Sequence, residues 1–248
     1  MRLLLILIFV CQVSFGQQKQ LCITVDDLPT VTYAQTGHDI KVQITKRLVD
    51  TFRKYDVQAI GYVNDSKLHK EGQLNPKEVE LLSYWIENGM DLGNHTYSHM
   101  NYHRANISDY GADILKGEKL TKPLLEENGK ELKYFRHPYL RVGLSQANYD
   151  SLQNFLSEHG YTPAPVTIDN TDYLFALAYS RAVRDEDKEM QEKIGRDYVD
   201  YMEQKLLFYE LQSNKLFNRP IAQTLLTHAN LLNATFMSKL LDMYKSHG

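Results

Sequence analysis

The chain has 248 residues, 43% of them hydrophobic and 24% charged, with 13 Gly, 7 Pro and a formal net charge of −3. This is close to the average soluble globular composition and argues against disorder, collagen and coiled coil. The slightly acidic balance lacks the basic excess that wrapping a nucleic acid requires, so no nucleic-acid partner is expected.

Arg2 precedes the apolar run Leu3 to Val10, and Ser14 and Gly16 occupy the −3 and −1 positions of a cleavage site after Gly16. A charged start, a short apolar stretch and small residues form a secretory signal, and the run is too short to span a bilayer. Residues 1–16 are therefore read as a signal peptide. Residues 17–248 are read as an exported domain, periplasmic or secreted, with no integral membrane segment. Cys11 leaves with the signal, so Cys22 stands alone, no internal disulfide can form, and a packed core must hold the fold. A lipidated Cys11 is the alternative, and the bulky Val10 before it argues against that. The Asn-x-Ser/Thr triplets at Asn64, Asn94, Asn106 and Asn233 would be glycosylation sites in a eukaryotic secretory pathway, but beside a bacterial-type signal they read as coincidence.

Leu21 to Asp27 is an apolar run too short for a helix and ending in two carboxylates, which predicts a buried strand leaving the core at its end. Ile40, Ile44, Leu48 and Phe52 recur four apart, one face of a helix over Ile40 to Tyr55. Gln58 to Val63 is again strand-like, and a helix follows with Asn75 as N-cap, Pro76 in its first turn and Gly89 as stop. The alternation continues with a strand from Met90 to His95, a helix from Ser108 to Asn128, a strand from Tyr134 to Tyr139 and a helix from Ser145 to His159. Strands over Tyr161 to Asp169 and Thr224 to Ala229 and a helix from Leu231 to Tyr244 complete it. This order implies a mainly parallel sheet covered by helices, in a single α/β domain without linker or repeat. The charged stretch from Leu174 to Pro220 interrupts the rhythm. Its apolar residues Ile194, Tyr198, Met202, Leu206 and Tyr209 recur at three or four, which suggests outer helices, positioned as a wall or lid beside the site.

In parallel α/β folds reactive groups gather at the C-terminal ends of strands. Five strand ends carry polar clusters here: Asp26-Asp27, His95 to His99, Arg136 to Tyr139, Asp169 to Tyr173, and Leu226 to His228. Two His four residues apart can turn both rings to one face, and imidazole nitrogen is a preferred zinc ligand. A strand-end carboxylate would complete the two-His, one-carboxylate set of a hydrolytic metal site with open positions. Successive strand residues point in opposite directions, so one of Asp26 and Asp27 can bind the ion while the other accepts a proton from water.

In this order the five segments resemble the five motifs of the NodB-type polysaccharide deacetylases, carbohydrate esterase family 4, metal-dependent hydrolases on a distorted (β/α) barrel of mainly parallel strands. The segments run from Thr24 to His228, and His95-Thr96-x-x-His99 fits its motif fully. The resemblance implies that Asp27, His95 and His99 bind the metal and that Asp26 is the general base, paired with Arg136, which holds it ionised. It implies an oxyanion contact from the backbone N–H of Tyr139. His228 would be the general acid, oriented and kept charged by Asp172. Leu226 would line the pocket for the acetyl methyl, and Tyr173 and Pro138 would meet substrate. Zn²⁺ is the expected cofactor, with Co²⁺, Ni²⁺ and Mn²⁺ able to use the same ligands.

Three positions depart from the family pattern. Leu28 stands where Gly is usual and is expected to narrow the approach to the metal, Leu140 replaces another Gly, and Tyr173 replaces a Trp. The resulting expectation is an exported deacetylase acting on N-acetylated sugars of a glycan, either peptidoglycan or a chitin-like polymer. An amidohydrolase or O-acetyl esterase with a smaller substrate and a catalytically silent glycan-binding protein are the alternatives.

Overall fold

The computed structural model describes residues 19–248, so the expected signal peptide, residues 1–16, lies outside the described residues. The first strand, β1 (Leu21–Leu28), is flanked on both sides. It pairs in parallel with β2 (Ile60–Val63) on one side and with β8 (Gln223–His228) on the other. Beyond β2 follow β5 (Asp91–Asn94), β6 (Tyr134–Phe135) and β7 (Thr162–Pro163), giving the all-parallel order β7-β6-β5-β2-β1-β8. A small antiparallel hairpin, β3 (His69–Lys70) with β4 (Gln73–Leu74), stands apart.

The sheet curls because one segment serves both of its edges. Thr162 and Ala164 donate backbone hydrogen bonds to Lys133 and Phe135 beside β6, and a few residues later Thr167 and Ile168 donate to Thr224 of β8. The expected distorted barrel is thus present. Its closing strand is shorter than the predicted Tyr161 to Asp169, because Pro163 and Pro165 remove two of the N–H groups a regular ladder needs.

Helices fill the returns between strands. In α1 (His38–Lys54) Ile44, Leu48 and Phe52 are buried as the spacing predicts, and the helix packs against α2 (Pro76–Glu87) and α8 (Leu231–Ser246). Phe52 meets Trp85 of α2 with ring centroids 5.9 Å apart. Asn75 caps α2 by accepting from the Lys77 N–H, with Pro76 at the first position. On the other side lie α5 (Gln146–Glu158) and, in place of the charged stretch, α6 (Asp172–Arg184) and the long α7 (Lys188–Phe217), both packed on α8. Among the described residues no helix is long and apolar enough to cross a membrane.

The single helix expected over Ser108 to Asn128 is two, α3 (Ile107–Lys116) and α4 (Thr121–Glu126). The break falls at Gly117, where an added Cβ would lie 2.7 Å from the backbone of Thr96 and Tyr97. The turn that joins His95 to His99 presses on the helix end, and only a residue without a side chain permits that approach. The strand expected over Tyr134 to Tyr139 likewise stops at Phe135, because the chain turns into a 3₁₀ segment at Pro138–Leu140.

Gly117→Ala should therefore lower stability by about 1–3 kcal/mol, read from urea unfolding. Because the displaced backbone lies between His95 and His99, the same substitution should weaken divalent-metal binding, read by calorimetry.

Candidate active site

All five polar strand ends converge on one end of the barrel. Asp27, near the end of β1, has a left-handed backbone with φ 67°, which turns its carboxylate away from the ladder. His95 is the first residue past β5, and Thr96 and His99, at φ 63° and 58°, fold the following turn back so that both rings face Asp27. The Asp27 Oδ1 lies 3.6 Å from His95 Nε2 and 3.4 Å from His99 Nε2. Tyr139 and Leu140 are left-handed as well, at 57° and 55°. Left-handed non-Gly residues are strained, and five of them here mark a site whose geometry the surrounding packing enforces.

Each of the three side chains is held from behind. His95 Nδ1–H donates to the Arg136 carbonyl at 2.7 Å, which leaves the Nε2 lone pair for Asp27's side. Burial holds the His95 ring neutral, with its pKa near 3, and burial also lowers that of His99. For Asp27 burial alone would raise the pKa, but Lys67, His95 and His99 outweigh it and hold the carboxylate at about 2. Lys67, which the sequence reading did not single out, donates from Nζ to the Asp27 carbonyl at 2.7 Å and lies 3.9 Å from Asp27 Oδ2. It sits in a short 3₁₀ turn after β2, and nothing in its local sequence marks it.

Asp26 lies on the opposite face of β1, in line with Thr24. It is buried, and its Oδ1 has no hydrogen-bond partner. Arg136 is fully buried beside it. The Arg136 Nη2 donates to Thr24 Oγ1 at 2.9 Å, the guanidinium lies over the Tyr62 ring at 4.7 Å, and Nη1 comes within 3.9 Å of Asp26 Oδ2. The expected pairing is thus an ion pair without a hydrogen bond. Burial pushes the Asp26 pKa up to about 6, and Arg136 offsets part of that rise.

His228 is the register partner of Asp26 on the neighbouring strand. The Asp172 carboxylate, fully buried, grips it twice, with Oδ1 at 2.7 Å from His228 Nδ1 and Oδ2 accepting from the His228 backbone N–H at 2.9 Å. Burial would lower the His228 pKa, but Asp172 and the site carboxylates push it up to about 9, so the ring is cationic at neutral pH. Asn233 Nδ2 donates to Asp172 at 2.7 Å and to the His228 carbonyl at 2.8 Å, and Tyr198 of α7 donates to Asn233 Oδ1 at 2.6 Å. Asn233 was legible only as a glycosylation triplet, yet it is fully buried, as are Asn94 and nearly so Asn64. Only the fold could show that it supports Asp172.

Tyr139, 58% exposed, packs edge-on against His99 with centroids 4.4 Å apart, and Tyr173 is exposed at the start of α6. Pro138 is buried beneath Tyr139, and Leu226 is buried two residues before His228. Leu28 does not narrow the approach to the metal as expected. It is fully buried, packs on Gly61, and points into the core. The Leu174 to Pro220 stretch touches this end through Tyr198, which donates to Asn233, and Tyr201, whose Oη accepts from the Thr171 N–H.

The sequence profile described as polysaccharide deacetylase matches residues 16–164 of the chain. The chain belongs to the polysaccharide deacetylase family. A peptidoglycan-N-acetylglucosamine deacetylase of Bacillus cereus is 27% identical over 115 residues, a match covering 46% of this chain and 38% of that enzyme's length. In fold, the polysaccharide deacetylase Bc1974 from Bacillus cereus superposes with a TM-score of 0.62 at 18% identity, covering 93% of this chain and 89% of that one. BA3943, a CE4 family pseudoenzyme from Bacillus anthracis, superposes at 0.58 with 15% identity, covering 94% and 63%.

Polysaccharide deacetylases of this family are generally metal-dependent, and the donor set here fits a divalent cation. The three candidate ligand atoms lie within 4.8 Å of one another, the imidazoles are neutral, and Asp27 Oδ1 is buried without a hydrogen-bond partner. Such an orphaned carboxylate oxygen is costly unless a cation meets it. Titration with Zn²⁺ followed by calorimetry should show binding that Asp27→Ala and His95→Ala weaken by about a hundredfold or more, while Asp26→Asn retains it.

Proposed function

We propose that this chain is an exported, metal-dependent deacetylase that hydrolyses the acetamido group of N-acetylated sugars in a glycan, with peptidoglycan favoured by the name of its curated relative. The observation that carries the proposal is the pairing of two titratable groups on adjacent strands with their protonation states set apart. Asp26 is anionic above about pH 6, and His228 is cationic up to about pH 9, both beside the Asp27, His95 and His99 triad. One acceptor and one donor of a proton, flanking a cation site, are what amide hydrolysis requires.

A divalent cation held by Asp27, His95 and His99 would supply Lewis-acid chemistry, polarising the acetyl carbonyl and acidifying water. Asp26 Oδ1, free of partners, takes the proton from the attacking water as the new C–O bond forms. The Tyr139 N–H, presented by its left-handed turn, is assigned to the developing oxyanion. His228 Nε2 then protonates the departing nitrogen as the C–N bond breaks, releasing acetate and a free amino sugar. Asp172 fixes the ring through Nδ1, so the proton that moves is the one on Nε2. Leu226 is assigned to the acetyl methyl group. Pro138, Tyr139 and Tyr173 are assigned to the sugar, the two exposed rings offering flat apolar faces.

Acetate release should be measured on N-acetylated glycan fragments, sugar O-acetates and small amides, before and after chelation and with Zn²⁺ restored. Release from the glycans that chelation stops and metal restores is expected. Release that survives chelation would remove the metal from the reaction, and glycan binding without acetate in metal-loaded protein would assign the chain to the silent members of the fold. Asp26→Asn and His228→Ala should each lower kcat by about 10²–10⁴-fold.

The pH dependence has a defined sign. The acid must be protonated, so kcat/KM should fall as pH rises through about 9. Asp172→Asn removes the largest influence raising the His228 pKa, so the alkaline limb should move to lower pH. An unmoved limb in that variant would assign it to another group.

A further inference from the structure

The end of the barrel opposite the active site carries apolar surface that the deacetylase chemistry does not use. The last turns of α7 expose Leu207, Phe208, Leu211, Leu216 and Phe217, with Leu216 74% and Phe208 51% exposed. Isolated exposed apolar residues are ordinary, but five within eleven positions at one helix end are a concentration. They do not make a flat stripe. At about 100° per residue, Leu207, Phe208 and Leu211 share one side of the helix, while Leu216 lies about 140° round from Leu211. Apolar groups facing several directions at a protruding helix end suit insertion into a fluid apolar phase better than contact with one rigid partner surface.

Three further observations fall at the same end. A cavity of about 300 Å³ opens there, walled by Leu21, Ile23, Val57, Leu206, Ile221 and Leu241. Two other residues that line it, Gln223 and Tyr244, each hold a buried side-chain oxygen without a hydrogen-bond partner. From Leu211 to Ala222 the chain carries Lys215 and Arg219 and no acidic residue, although the chain as a whole is acidic. Both cations are exposed beside Leu216 and Phe217. The first described residues also lie here, where Lys19 Nζ binds Glu210 of α7 at 2.9 Å.

We propose that this end is a docking surface for an anionic lipid bilayer. The exposed residues of α7 enter the interfacial region, and Lys215 and Arg219 meet lipid headgroups. The active site, at the C-terminal ends of the strands, then faces away from the bilayer, towards polymer outside it.

The test is vesicle co-sedimentation of the chain beginning at Gln17, which keeps every described strand and helix and excludes the apolar run. Vesicles containing phosphatidylglycerol should sediment the protein, those of phosphatidylcholine alone should do so far less, and salt should reduce binding. Phe208→Asp combined with Leu211→Asp should weaken binding by about tenfold or more, and Lys215→Glu combined with Arg219→Glu should abolish the preference for phosphatidylglycerol. Both pairs are outward-facing, and an unchanged circular dichroism melt confirms their fold. No sedimentation with phosphatidylglycerol vesicles, or binding equal in the Asp variants, overturns the proposal. Self-association that the Asp variants abolish, without lipid binding, assigns the face to a second copy of the chain and overturns it as well.

Discussion

A buried cation organises the site. Arg136 has no exposed surface, yet two of its nitrogens, Nε and Nη1, lack hydrogen-bond partners. Such a charge is tolerable only where an anion stands close by in the same low-dielectric volume. Asp26, at 3.9 Å, is that anion. The stack on Tyr62 and the bond to Thr24 fix the guanidinium, and its own carbonyl fixes the tautomer of His95. One residue therefore couples the carboxylate on the inner face of β1 to the imidazole at the end of β5. Relieving Asp26 of its charge would leave the guanidinium without a counter-ion, while Thr24 and Tyr62 still hold it in place and its carbonyl still meets the His95 ring.

The opposite flank is built on different physics. Asp172 is as deeply buried as Arg136, but its oxygens receive donors from His228, its backbone N–H and Asn233, so its charge is solvated by the protein itself. That difference explains why two buried carboxylates at one site behave oppositely. Asp26, with an orphaned oxygen, is pushed up, and Asp172, with both oxygens hydrogen-bonded, is pulled down. The helical stretch between Asp172 and His228 in sequence contributes directly here, because Tyr198 of α7 locks Asn233.

Much of this was legible in the sequence because the chemistry sits at strand ends. Short apolar runs ending in Asp, His or Arg placed β1, β5 and β8 and the residues that meet above them. Residues that act through position rather than type were not legible. Lys67 and Asn233 reach the site only after the chain has folded, and Asn233 resembles a surface triplet until its burial is known. The helix after His99 has no local break signal in the sequence, because Gly117 looks like an ordinary weak helix residue. Its reason for being Gly is a backbone from another part of the chain. The closing strand was overestimated because one segment divides its hydrogen bonds between two edges, a pattern with no local signature.

The packing of Leu28 on Gly61 has a consequence for how such a chain can change. The Leu28 Cδ1 occupies the space where a side chain at position 61 would begin, on the adjacent strand. Neither position is free to vary alone. Enlarging residue 61 meets Leu28, and trimming residue 28 to Gly opens a void in the core next to Asp27. A passage from this arrangement to one with Gly after the paired aspartates runs through a less stable intermediate unless both positions shift together. The departure at Leu28 is thus one half of a two-residue solution, and its origin is to be sought in the history of the pair.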